Sequence, residues 1–281
     1  MSSITVVTGS NQGLGFEAVR KLARQANGHT IMTSRNATRG QEALGKVQNE
    51  FPEASVEVME LDLDSDASQE AFVKAIEEKH GKVSCLVNNA GVGYAPTSDV
   101  PVKDQTSQTF STNVFQTIKF TDRMLPLLNK DANPRIVVLA STLSQTAFAS
   151  LSSEAQKRIT TEDLTTTDVL AFAKDYVKAV AEDKAKQEGF AENAEATSYM
   201  MSKLCDVQFA RTYAREHPNI IVNSCCPGWC VTAMGQKAGN PPRSSEEGAE
   251  VMAFLATADL DGTSGEFWYD NKVLPAFTVS A

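Results

Sequence analysis

Along the first half of the chain, short runs of β-branched and apolar residues alternate with segments whose apolar positions recur at helical spacing. "ITVVT" (4–8) reads as a buried strand and "GFEAVRKLARQA" (15–26) as an amphipathic helix. "HTIMTS" (29–34) is a second strand, followed by a helix over roughly 38–50. Next come "ASVEVMEL" (54–61), a helix near 67–79 and "KVSCLVN" (82–88). A long helical stretch from about 104 to 128 leads into "RIVVLA" (135–140). Strand and helix in this rhythm predict βαβ units with right-handed crossovers, hence an α/β fold with a parallel sheet covered on both faces.

Residues 145–196 break the rhythm. They hold helix material, with apolar residues at Val169, Phe172, Ala173, Tyr176, Val177 and Val180, and no strand. A helix carrying Tyr199, a strand at "NIIVNSC" (219–225), a helix over about 245–257 and a last strand at "GEFWY" (265–269) complete the series. "SSEE" (244–247) offers a Ser-x-x-Glu capping box for the late helix. With no Gly/Pro/Ser-rich linker and no solenoid repeat, one domain spanning 1–281 is expected, and 145–196 is a helical insertion within it.

"TGSNQGLG" (8–15) follows the first strand and opens the first helix. Glycines there let the backbone approach a ligand closely, and the helix N-terminus offers free N–H groups to a pyrophosphate. The spacing, Gly9, Gly13 and Gly15, departs from G-x-G-x-x-G but keeps the required strand–turn–helix context. With "NNAG" (88–91) after the fourth strand and "LDLD" (61–64) after the third, nearly the whole chain resembles the short-chain dehydrogenase/reductase family. The resemblance implies a Rossmann-like, doubly wound sheet. It also implies cofactor contacts from Gly9, Asn11, Gln12, Gly13, Leu14 and Gly15, and from Asn89, Ala90 and Gly91 after the fourth strand. Asp62 would meet the adenine, with Leu63 beside it.

A dinucleotide enzyme that prefers NAD carries an acid about 20 residues past the glycine loop to bind the ribose 2′-OH. Here that place reads "SRNATR", with Arg35, Asn36 and then Arg39. A guanidinium grips a 2′-phosphate where an acid would repel it, so the expected cofactor is NADPH/NADP+, held there by Arg35 and Asn36.

The catalytic candidates are spread along the chain. Tyr199 and Lys203 lie four apart, on one face of a helix. Tyr-x-x-x-Lys alone is a weak motif, and its weight comes from company. Ser141 sits just past the fifth strand, at the carboxyl end of the sheet where ligands bind in this architecture, and Asn113 lies within the preceding long helix. Reducing a carbonyl develops charge on oxygen, which must receive a proton. A tyrosine with a pKa near 10 is a hesitant acid–base group, and the Lys203 ammonium is expected to lower that value. The Ser141 hydroxyl would polarise the carbonyl oxygen as an oxyanion-hole donor does. Resemblance adds hydrogen bonds from Lys203 to the nicotinamide ribose and an Asn113-anchored water that passes protons to the lysine. In "CCPGWCVT" (225–232) it adds cofactor contacts from Pro227, Gly228, Val231 and Thr232. One departure is visible: Ala140-Ser141 stands where the family often has Ser-Ser.

The late position of Tyr199 narrows the reading. Roughly 40 residues more than a short loop would need separate it from Ser141. That insertion, with "SRNATRGQEAL" (34–44) and "EAQKRI" (154–159), resembles the monomeric NADPH-dependent carbonyl reductases and related plant and fungal ketone reductases. In those proteins the inserted helices cover the face that others use to form oligomers, so a monomer is expected. Trp229 falls where such reductases line the substrate pocket; a buried structural role is the alternative. Met200 and Met201 read as space-filling.

Composition then excludes partners rather than choosing a substrate. A net charge of −9 and no long Lys/Arg block argue against nucleic acid or an anionic membrane. "MSSITVVTGS" lacks the apolar core of a signal peptide, and no stretch of 18 apolar residues exists. Five cysteines without CxxC and three scattered histidines give no zinc-ligand spacing, and reduced thiols in the cytoplasm are expected. The leading expectation is NADPH-dependent reduction of ketones, aldehydes or quinones by hydride transfer, with Tyr199 as proton donor and Ser141 and Trp229 facing the substrate. Behind it stand a biosynthetic tailoring reductase acting on a specialised ketone or imine or running oxidatively, and a non-catalytic NADP(H)-binding sensor.

Overall fold

The computed structural model describes residues 3–25, 28–190, 194–275 and 277. Among the described residues, seven parallel strands and one antiparallel strand form a single sheet in the order β3-β2-β1-β4-β5-β6-β7-β8. The strands are β1 (Ser3–Val7), β2 (Gly28–Ser34), β3 (Val56–Glu60), β4 (Cys85–Asn88), β5 (Arg135–Leu139), β6 (Ile221–Cys226), β7 (Phe267–Tyr269) and β8 (Lys272–Leu274). Successive strand residues point to opposite faces, and here both members of each central pair are apolar and buried. Val6, Ile31, Leu86 and Ile136 enter one core; their neighbours Val7, Met32, Val87 and Val137 enter the other. That is the signature of a sheet covered on both sides.

Helices α1 (Gly13–Leu22), α2 (Ala37–Glu50) and, late in the chain, α10 (Ser245–Gly248) and α11 (Glu250–Thr257) cover one face. On the other lie α3 (Asp66–His80), α4 (Val102–Phe110), α5 (Thr117–Leu128) and α9 (Ala194–Glu216). From β1 the chain winds outward to β3, then returns to place β4 on the other side of β1. The crevice at the carboxyl ends of β1 and β4 is therefore the switch point of the sheet, where this topology binds ligands.

Three features differ from the sequence expectation. The long helix of 104–128 is interrupted by a π-helical turn, Ser111–Gln116, where Thr117 Oγ1 donates to the Thr112 carbonyl at 2.9 Å. Such a turn inserts one residue and re-aims side chains, commonly at functional sites. The last strand is followed by β8, joined through Asp270 and Asn271, both with positive φ (48° and 58°). That Asp-Asn pair was the legible signal for a tight hairpin. And two of the three histidines are not scattered: His29 and His80 meet Glu57 at the amino ends of the strands, with Nε2 to Oε1 distances of 3.0 and 2.6 Å. Burial opposes ionisation of Glu57, yet hydrogen bonds from Lys79, His29 and His80 hold its carboxyl down to about 2.

The insertion folds as α6 (Leu143–Ala149), α7 (Ser153–Thr160) and α8 (Thr166–Ala181); residues 191–193 at its end lie outside the described residues. A Thr165–Asp168 capping box starts α8, as Ser244–Glu247 starts α10. Val169, Phe172, Ala173, Tyr176 and Val180 are all buried, and Val177 is partly so. Tyr176 packs on Phe110 of α4 and on Phe190, with ring centroids 5.1 and 5.3 Å apart. Each fully buried large apolar side chain among them contributes about 1.5–3 kcal/mol, which holds the insertion on α4 and α9 as a cover. Among the described residues, no helix is long and apolar enough to cross a membrane.

Candidate active site

A cleft of about 980 Å³ opens at the switch point, lined from the carboxyl ends of β1, β2, β4, β5 and β6. Its floor is the glycine loop. Gly9 and Gly13 have φ of +61° and +59°, and a Cβ on Gly15 would lie 2.4 Å from Asn89 Nδ2 and 2.9 Å from the Gly9 carbonyl. The loop is stitched to β4: Asn89 Nδ2 donates to the carbonyls of Thr8 and Gly9 at 2.7 and 3.1 Å, and the Ala90 amide donates to Thr8 Oγ1 at 3.0 Å. The first turn of α1 contains no acidic residue, so nothing competes with an anion for its free amides.

Every expected cofactor contact but one lines this cleft: Asn11, Gln12 and Leu14 with the glycines; Arg35; Asp62 and Leu63; Asn89, Ala90 and Gly91; and Pro227, Gly228, Val231 and Thr232. Asn36 does not. Its Oδ1 accepts from the Arg39 amide at 2.9 Å and caps α2. An N-cap asparagine two residues after a strand was readable as such.

Ser141, Tyr199 and Lys203 line the same cleft. Ser141 Oγ accepts from the Leu143 amide at 3.2 Å, which leaves its hydroxyl proton to point elsewhere. Lys203 is buried; its Nζ donates to the Leu139 carbonyl at 2.7 Å and to Asp206 Oδ2 at 2.8 Å. Of its three protons, two are held by protein and one remains for the cleft. The ammonium sits 5.6 Å from the Tyr199 ring centroid.

Burial pushes the Tyr199 phenol up, while Lys203 pulls it down and Cys226 and Asp206 add to the rise. The net direction is upward, opposite to the expectation that Lys203 would lower it. Lys203 acts in the expected sense, but burial outweighs it. A raised phenol is protonated at neutral pH, the state a proton donor needs.

Asn113 is buried and does not line the cleft. Its side chain clamps the loop after β4, accepting from the Val92 amide at 2.8 Å and donating to the Val92 carbonyl at 3.0 Å. Nδ2 also donates to Ser202 Oγ on α9 at 3.1 Å. The π-turn places it there, so it ties together the two segments that carry Gly91 and Tyr199.

Trp229 is 46% exposed at the cleft wall, with Nε1 donating to the Gly235 carbonyl at 3.0 Å. The buried alternative for it is thus excluded. The structure adds lining residues that the sequence reading missed, among them Gly93, Tyr94 and Met234. The two rims touch where Lys237 Nζ donates to the Gly93 carbonyl at 3.2 Å. Met200 borders the cleft, whereas Met201 is fully buried. All five cysteines are free and buried, and burial pushes the Cys225 thiol up, away from reactivity.

Residues 3–157 match the model of the short chain dehydrogenase family. Carbonyl reductase [NADPH] 1 of Rattus norvegicus is 32% identical over 281 residues, covering 97% of this chain and 98% of its own. Among solved structures, salutaridine reductase from Papaver somniferum superposes with a TM-score of 0.82 at 28% identity, covering 95% of this chain and 99% of that one. Menthone neomenthol reductase from Mentha piperita gives a TM-score of 0.79 at 25% identity, over 95% and 98%. With its switch-point cleft, glycine loop and Tyr199–Lys203 pair, the chain belongs to the short chain dehydrogenase family of NAD(P)H-dependent oxidoreductases.

Proposed function

We propose that this chain is an NADPH-dependent reductase of ketone, aldehyde or quinone carbonyls, acting in the cytoplasm as a single-domain monomer. The observation that carries the reading is the convergence of Ser141, Tyr199 and Lys203 on one cleft floored by the glycine loop. NADPH, when bound, supplies the hydride. The chain's own residues do the rest. The α1 amides and the loop glycines would hold the pyrophosphate, and Arg35 would hold the 2′-phosphate. Ser141 donates a hydrogen bond to the carbonyl oxygen, polarising it, and Tyr199 delivers the proton that this oxygen needs. Lys203, fixed by Leu139 and Asp206, aims its remaining proton at the cleft and steadies the phenolate left behind. Asn113 keeps the Val92 loop in register.

A half-exposed Trp229 on a largely apolar wall suits flat, bulky substrates. The superposition on salutaridine reductase and menthone neomenthol reductase favours a second reading, a tailoring reductase for a specialised alicyclic or alkaloid ketone. The deciding experiment is NADPH consumption over a panel of quinones, aryl ketones, terpenoid ketones and alkaloid ketones. Turnover of quinones and aryl ketones alike supports the broad reading; efficient turnover confined to one terpenoid or alkaloid class supports the tailoring reading. No NADPH consumption with any member of the panel refutes both.

Arg35→Ala is expected to raise the Michaelis constant for NADPH by about 10- to 100-fold, the loss of one charge-assisted contact of roughly 1.5–3 kcal/mol. The constant for NADH should stay unchanged. Equal effects on both would remove Arg35 from the 2′-phosphate. The insertion packed on α4 and α9 supports the monomer. Light scattering should give a mass near the 30.3 kDa of one chain, and twice that value would overturn it.

A further inference from the structure

The partner of Lys203 is a buried carboxylate behind the cleft. Asp206 is 3% exposed and lies one turn past Lys203 on the same face of α9, so Tyr199, Lys203 and Asp206 form one line along the helix. Asp206 does not line the cleft and reaches it through Lys203, which does. Its Oδ2 meets the Lys203 ammonium at 2.8 Å, with only 7% and 4% of the two side chains exposed. Two ions removed from water in this way gain little stability over an apolar pair of the same size, so stability alone gives no reason for a carboxylate at this position.

We propose that Asp206 is a positioning residue that sets the working pH range of the site: it holds Lys203 charged and oriented, and its negative charge partly cancels the lysine's field at Tyr199, keeping the phenol protonated into the alkaline range. The proposal rests on the reading of Tyr199 as proton donor. Geometry assigns the first half, because a buried ammonium without a counter-ion tends to lose its proton, and Asp206 is the charge in contact with it. The second half follows from the line of three groups on α9. A carboxylate beyond the ammonium opposes, at Tyr199, the stabilisation that the ammonium gives the phenolate.

Few other titratable groups reach this line. Among the described residues, Cys205 of α9 and Cys225 and Cys226 of β6 face it, and β5 contributes only the Leu139 carbonyl. Burial pushes the Cys205 and Cys225 thiols up, so they stay uncharged while the pair acts. Asp206 leaves the overall equilibrium of the reaction untouched, since no side chain can alter that. It moves the pH at which the donor loses its proton.

The test is the pH profile of kcat/KM for carbonyl reduction in the wild type, Asp206→Asn and Asp206→Glu. Asparagine keeps the shape and an acceptor for Lys203 but removes the charge. The alkaline limb of its profile should move to lower pH by about one unit, and the glutamate variant should restore it towards the wild-type position. Asp206→Ser, smaller and also uncharged, serves the same comparison where the asparagine variant does not fold. A limb that stays in place or moves upward, while thermal stability alone falls, shows a merely structural residue and overturns the proposal. Ultraviolet titration of the Tyr199 phenolate, isolated as the difference from Tyr199→Phe, should show the same downward shift without any turnover. That second readout separates the failure of this proposal from failure of the reductase reading.

Discussion

Tyr199→Phe is expected to cut kcat/KM for NADPH-dependent carbonyl reduction by about 10²–10⁴-fold, the usual contribution of a positioned general acid. The substitution removes one hydroxyl and leaves the ring, its packing against Gly93 and the neighbouring Lys203–Asp206 pair in place. NADPH affinity, read from the cofactor's fluorescence, should hold near the wild-type value, and so should the melting temperature. The loss should fall on kcat rather than on KM, because proton delivery matters only in the transition state. A variant that keeps its rate assigns the proton to another group. A variant that loses NADPH binding as well assigns Tyr199 a structural task. Burial sharpens the expectation, since the raised phenol of the wild type is fully protonated at neutral pH and its removal deletes a competent acid.

What could be read from the sequence follows the physics of each feature. The parallel sheet was legible because strands buried on both faces are written in near-continuous apolar runs such as "ITVV" and "IVVLA". The glycine loop was legible because a Cβ at position 15 would fall within 3 Å of Asn89 Nδ2 and the Gly9 carbonyl, so only glycine fits there. Less visible was whatever depends on a side chain's partner. Asn36 follows an arginine at the end of β2 and read as a cofactor contact, but its side-chain Oδ1 accepts from the Arg39 amide and caps the first turn of α2. Asn113 read as a member of the catalytic set; what the sequence hid is that the π-turn sets its side chain against the backbone of Val92. A π-turn leaves no periodic trace that six residues could show. Asp206 went unnoticed for a similar reason: an acid three residues after a lysine is ordinary on any helix surface, and only burial of both makes it a counter-ion.

That burial gives the second large effect. Lys203→Met should reduce kcat/KM by at least about 10²-fold and also destabilise the fold by about 3–5 kcal/mol at neutral pH, the cost of leaving a buried charge without its partner. The two losses can be separated by their pH dependence. In the wild type, burial pushes the Asp206 carboxyl up, to about 6, with the Lys203 ammonium opposing that rise. Without the ammonium the folded-state value climbs further, well above that of the unfolded chain. A group whose folded-state pKa is raised binds its proton more tightly when folded. Its contribution to stability is therefore fully present below the unfolded value and is lost as pH rises through the folded one. The variant should lie closest to the wild type in acid, where Asp206 is neutral in both, and the gap in melting temperature should widen from about pH 5 to pH 8. A gap that is constant over this range would mean that the loss is one of packing alone. Asp206→Asn added to Lys203→Met removes the stranded carboxyl and should recover part of the neutral-pH stability without recovering the rate. The ion pair would then be a cost that the fold carries for the sake of the Lys203 ammonium beside Tyr199.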